Sequence, residues 1–170
     1  MKKALPILFV VSTAFITAAS LTVATNGSYT QLKAADNSVN HTITFTKDNI
    51  TSNSFSGSTG TFAISQTTSS GSEFGCTGTI HGDDIIFKSF NMFSVEDDYG
   101  DGSLSMTFEF HNVLSAVSVT LNGDFDDGWK DTYTFTNSSA IAGGFKIPVN
   151  INDQTDFSLD SIVVQYTCSY

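Results

Sequence analysis

Ser103-Leu104-Ser105-Met106-Thr107-Phe108-Glu109-Phe110-His111 alternates polar and apolar side chains without a break. Leu104, Met106, Phe108 and Phe110 share one parity, and Ser105, Thr107 and Glu109 take the other. A period of two marks a strand with one buried face, because successive side chains leave opposite sides of an extended backbone. Val117, Val119 and Leu121 take up the pattern again, alternating with Ser118 and Thr120. The two stretches read as a central pair of strands. Acidic clusters flank them: Glu96, Asp97, Asp98 and Asp101 before, Asp124, Asp126, Asp127 and Asp131 after. If the two strands are direct antiparallel neighbours joined at 111–116, both clusters fall on one rim.

Outward from this pair the alternation recurs. It covers Ile43 and Phe45, Phe62 and Ile64, then Phe74, Cys76, Gly78 and Ile80. Ile85 to Phe90 follows, with Met92 to Val95 continuing it past a bulge. Tyr133 and Phe135 form a short strand, and Phe145, Ile147, Val149 and Ile151 a longer one. Pro148 lies on that last strand and cannot donate to a ladder, which marks an edge or a bulge. Phe157 and Leu159 are odd-numbered, whereas Ile162, Val164, Tyr166 and Cys168 are even, so the parity flips near Asp160-Ser161 as a β-bulge would make it. Ser52–Gly60, Thr67–Ser72, Gly123–Lys130 and Asn137–Gly144 are small and polar and read as loops. No helical period follows the first stretch of the chain. The pattern is all-β: one antiparallel β-sandwich domain of jelly-roll type over 41–170.

The chain opens with Lys2 and Lys3, then an apolar run from Ala4 to Ala19 that ends among small residues. This reads as a secretory signal peptide over 1–24, with acceptable cleavage points from 19 to 35. A run of that length can also anchor in a bilayer. Residues 25–40 read as a flexible lead-in. The expected destination is secreted and extracellular. Seven lysines and no arginine face seventeen acidic residues, for a formal net charge of −10. Such a balance argues against nucleic acid, and against a membrane surface once the signal is removed. Cys76 and Cys168 both fall at inward parity, and an even pair in an oxidising compartment invites a disulfide. The other reading is two buried free thiols.

The stretch Phe157-Ser158-Leu159-Asp160-Ser161-Ile162-Val163-Val164 resembles the last strand of galactose-binding-like jelly-roll carbohydrate-binding modules, which often end on aromatic-x-aliphatic-Asp-x-aliphatic. The resemblance implies a β-sandwich, a structural calcium near Asp160, and sugar recognition by loops or by one concave face. A matching early-strand glutamate is missing from His41 to Phe55.

The acidic loops carry the candidate metal ligands. Asp97, Asp98, Asp101, Asp124 and Asp126 offer oxygens to Ca²⁺, a hard cation that takes six to eight of them. Read plainly, they are solvated loops that keep the protein soluble. Trp129, with Tyr99, Tyr133 and Asp127, makes a candidate ligand site in which sugar faces stack on rings and a carboxylate accepts from hydroxyls. The competing reading has Trp129 packing over one end of the sandwich. His41, His81 and His111 match no zinc spacing, although His81 lies close to Asp83 and Asp84. Asn40, Asn49 and Asn137 stand in glycosylation sequons. No nucleophile triad, phosphate loop or nucleotide fingerprint is present. The reading is therefore a secreted non-catalytic domain that binds extracellular carbohydrate. The alternative is an adhesin-like module of a surface or matrix protein that contacts another protein. A small glycoside hydrolase with two carboxylates comes third.

Overall fold

The alternating stretches become strands, and their apolar parities meet in one core. The computed structural model describes residues 21–25, 28–32, 38–125 and 128–169. Most of the signal-peptide segment, and Asp126 and Asp127, lie outside the described residues. The chain divides into two compact units at Asn37 and Ser38. In the first, β1 (Leu21–Thr25) and β2 (Ser28–Leu32) form an antiparallel pair with Leu21 opposite Leu32. This pair falls across the end of the signal segment and the lead-in, where the sequence carries no sustained period.

The second unit is an antiparallel β-sandwich of twelve strands, β3 to β14. They are β3 (Ser38–Phe45), β4 (Ile50–Ser56), β5 (Thr59–Thr67), β6 (Glu73–His81), β7 (Asp84–Phe87) and β8 (Phe93–Glu96). Then follow β9 (Gly102–His111), β10 (Ser115–Phe125), β11 (Lys130–Phe135), β12 (Ser139–Ile141), β13 (Gly144–Gln154) and β14 (Phe157–Ser169). One sheet runs β11-β10-β14-β8-β7, with β3 also on β14; the other runs β12-β13-β9-β6-β5-β4. β14 is the spine of the first sheet. One of its edges pairs with β10 throughout. The other pairs with β8 at Phe157–Leu159 and with β3 from Ile162 onward.

The parity flip in β14 is a bulge. Asn122 pairs with Ser161 and Gly123 with Leu159, leaving Asp160 without a counterpart on β10. Leu159 and Ile162 are both fully buried, so the extra residue keeps both apolar halves of the strand in the core. Gly123 sits against this bulge: a β-carbon there would stand 2.0 Å from the Ser158 carbonyl oxygen. Pro148 lies on β13 opposite Thr107 of β9, past the end of β12. β12 covers β13 only from Gly144 to Lys146, so beyond that point β13 is an edge strand.

The core is aromatic. Phe45 from the first sheet meets Phe74 and Phe108 from the second, with ring centroids 6.2 and 5.3 Å apart. Phe74 and Phe110 meet edge to face at 82°, an arrangement favoured by the ring quadrupoles. Leu104, Met106, Phe108 and Phe110 are all buried, as their alternation requires.

Four expectations need correction. First, β9 and β10 are not neighbours. They belong to different sheets, and residues 112–114 carry the chain across the sandwich edge, with Asn112 at a left-handed φ of 57°. Their apolar faces meet through the core instead of lying side by side in one sheet. Alternation fixes which face is buried but not which strand lies alongside. The same step carries a second bulge, at Val117, which is 40% exposed, while Ala116 and Val119 point inward. Second, much of Ser52–Gly60 is strand, not loop, and Asn137–Gly144 holds the short strand β12. β4 is an edge strand with six of its seven residues exposed, so it needs no alternation. Third, 85–95 is not one bulged strand: β7 and β8 pair antiparallel, and the reversal passes through Lys88 at a φ of 73°.

Fourth, Cys76 and Cys168 are free thiols. Each faces inward, but from different heights on opposing sheets. The Phe74 ring lies against Tyr166 at 4.8 Å, and the Ser72 hydroxyl lies 3.2 Å from the Cys168 sulfur. Cys168 therefore faces Ser72, and Cys76 sits four residues further along β6. At 3.3 Å per residue that is an offset of about 13 Å, far beyond the reach of a disulfide.

Candidate functional site

The acidic loops meet at one end of the sandwich, although not through a hairpin. The 97–101 loop leads from β8 in the first sheet to β9 in the second, and Asp124 ends β10 in the first. Glu96, Asp124 and Asp156 line one depression of about 320 Å³, together with Ser94 and Ser158. Crossing from sheet to sheet returns the chain to the same end, just as a hairpin would.

The carboxylates nearest the backbone serve the fold. Asp97 is 4% exposed, and its Oδ1 accepts the backbone N–H groups of Tyr99 and Asp101, each at 3.1 Å. Burial pushes its carboxyl up, but the N–H donors of Asp101 and Tyr99 outweigh this and hold it below the ordinary aspartate value. The neighbouring charge of Asp97 raises the Asp101 carboxyl. Asp83 accepts the Asp98 N–H at 3.2 Å, and Asp156 accepts the Asp97 N–H at 3.4 Å. These bonds pin the 97–101 loop to the 81–84 turn and to the 154–157 turn. Among the described residues, no three His, Cys, Asp or Glu side chains are grouped so as to hold a metal ion. Asp126, which completes the expected calcium set, lies outside the described residues.

The aromatic residues divide. Trp129 is 89% exposed and Tyr99 86%, so neither belongs to the core. Tyr133 is half-buried: its ring meets Phe125 edge-on at 5.1 Å, and the Lys130 ammonium lies 3.5 Å from its centroid. That cation covers the face a sugar would need. Tyr133 thus packs on the core through Phe125, while Trp129 and Tyr99 stand exposed. Asp127 lies outside the described residues.

A second depression lies elsewhere, on the outer face of the second sheet. It encloses about 650 Å³ between β5, β6 and β9, lined by Ser65, Thr77, Thr79, Ser105, Thr107 and Glu109. Parity alone counts these residues as solvent-facing. The sequence signal that was available is the run of hydroxyl side chains at outward parity on consecutive strands. The histidines do not converge. His41 stacks on Tyr166, His81 lies by Thr59, and His111 Nε2 lies 3.3 Å from Glu109 Oε2. This chain matches no protein-family model, no curated protein and no solved structure.

Proposed function

We propose that this protein is a secreted, non-catalytic module that binds extracellular carbohydrate at the acidic rim, with Trp129 as the stacking surface. The exposure of Trp129, 89%, carries the reading. A lone indole left in water by a domain with an aromatic core forgoes a large burial gain, and contact with a ligand recovers it. Glu96, Asp124 and Asp156 face one depression at the same end and offer acceptors to sugar hydroxyls. A glycan array with and without chelator tests this reading. Trp129→Ala should abolish binding and leave the melting temperature within a degree or two, as expected for an exposed side chain. Loss of folding in that variant would place the tryptophan in the core and sink the site.

A second reading, contact with another protein, draws on a separate observation. Phe55, Ile86, Phe90 and Leu114 are exposed apolar side chains, with Phe90 wholly so. If the array is silent, a pull-down with Phe90→Ser as the control decides for or against that alternative.

A further inference from the structure

The geometry points to a second ligand site, on the outer face of the six-stranded sheet, built for an amino-sugar polymer. The face is laid out in rows by the strand register. Thr61, Thr79 and Ser105 stand opposite one another across β5, β6 and β9, followed by Ala63, Thr77 and Thr107, then Ser65, Gly75 and Glu109. The trough exists because the middle rows carry Ala63 and Gly75, which are too small to fill it. The hydroxyls of Thr77, Thr79 and Thr107 have no hydrogen-bond partner among the described residues and point to solvent within the trough. Neighbouring rows lie about 6.6 Å apart along the strands, too far for hydroxyl to bond hydroxyl from row to row, and the facing Thr77 and Thr107 make no bond within theirs, so all three are open to a ligand.

One end of the trough changes character. At Gly75 it opens into a notch of about 200 Å³ walled by Glu73, Glu109 and His111, with Ser65 and Thr67 beside them. Glu73 lies directly across from His111, so Glu73 and Glu109 are diagonal neighbours on adjacent strands. Diagonal side chains of this kind start about 7–8 Å apart, and two glutamates can close on a single ammonium between them once Glu109 turns from His111, whose Nε2 lies 3.3 Å away. From this notch to Thr79 the trough runs about 20 Å, enough for several sugar units.

The chemistry selects the ligand. Free hydroxyls suit a polyhydroxylated chain. β5, β6 and β9 present no phenyl, phenol or indole ring on this face, so a neutral sugar lacks the stacking contact that usually holds it. The carboxylate pair supplies what is missing, provided that the sugar carries a free amine. An extended basic peptide also carries ammonium groups. However, its side chains alternate and need a pocket for every second residue, whereas the trough has one notch. The site is independent of Trp129 and of the rim.

Titration calorimetry of the full chain with glucosamine hexamer, N-acetylglucosamine hexamer and a lysine hexapeptide tests the assignment. The glucosamine hexamer should bind, and the acetylated one should bind at least about tenfold more weakly, the usual worth of a charged hydrogen bond. Glu73→Gln with Glu109→Gln should weaken binding of the glucosamine hexamer by about the same factor or more. Asp48→Asn with Asp160→Asn changes the net charge equally at exposed residues that line neither site and should leave it unchanged. Equal binding of both hexamers, or an equal loss from that control variant, overturns the site. Equal or tighter binding of the lysine peptide makes the partner a basic peptide and overturns the amino-sugar assignment. Should the double glutamine variant melt early, Ala63→Gln fills the trough floor from a half-exposed position. It should cause the same loss, and unchanged binding in that variant overturns the site.

Discussion

Gly78 has no side chain because the Phe62 ring occupies its place. A β-carbon there would stand 2.1 Å from the ring, and the ring is itself buried against Phe93. Gly78→Ala should therefore destabilise the domain by about 1–3 kcal/mol, the usual cost of overpacking, as read by urea unfolding. A change below about 0.5 kcal/mol would mean that Phe62 moves freely, contrary to its full burial. Cys76 supplies a second residue-scale test. Burial pushes its thiol from 9.0 up to about 12. Below pH 9 the thiol is neutral in both folded and unfolded chains; above it, only the unfolded chain ionises. Stability should thus fall between about pH 9 and 12, with Cys76 contributing up to about 4 kcal/mol of the loss. Cys76→Ala should flatten that part of the pH–stability curve. An unchanged slope would show that the thiol ionises in place. Its burial was legible from parity alone. Its lack of a partner was not, because parity says nothing about height along the facing strand.

At the scale of the element, the bulges hold the apolar faces in phase. β14 spans both halves of its sheet, and Asp160 is the residue that lets Leu159 and Ile162 both point inward. Deleting Asp160 would turn one half of the strand inside out, since a one-residue slip exchanges the faces. The deletion should abolish cooperative melting, whereas Asp160→Ala, at an exposed position, should stay within about 0.5 kcal/mol of the parent. A stably folded deletion variant would refute the bulge as the register device. Val117 and Val119 make the matching comparison. Val119→Thr should cost about 1–3 kcal/mol by burying a hydroxyl, and Val117→Thr almost nothing. The Asp160 bulge could be read from the sequence, because Phe157 and Leu159 disagree in parity with Ile162, Val164 and Tyr166. The Val117 bulge could not, because the stretch before it holds only Ser115 and Ala116. β4 was missed for a related reason: an exposed edge strand of Ser, Thr and Asn carries no contrast between its faces.

The sandwich brings Glu96, Asp124 and Asp156 to one end, and the sequence expects a shared acidic rim through the wrong topology. A hairpin and a sheet-to-sheet crossing both reverse the chain, so either brings the start of β9 and the end of β10 to the same rim. Sequence pattern therefore put Glu96 and Asp124 at one rim and left Trp129 open between exposed and packed, while it passed over the trough, whose floor is set by the pairing of Ser65 with Gly75 and Gly75 with Glu109. The chain carries a net charge of −10 with no arginine, and the rim has Glu96, Asp124 and Asp156 around one depression. Like charges held together by folding repel, and dissolved salt screens them over about 10 Å at 0.1 M ionic strength. Two kinds of relief are distinguishable. Screening depends on ionic strength alone; ligation depends on the identity of the cation. Asp83, Asp97 and Asp156 already accept backbone N–H bonds. If screening alone relieves the rim, sodium chloride and calcium chloride at equal ionic strength should raise the melting temperature by the same amount, and Asp124→Asn should reduce both gains together. A calcium gain several degrees above the sodium gain, lost in Asp124→Asn, would establish ligation at this rim. The sugar site would then be expected to fail under chelator, which the glycan array reads directly.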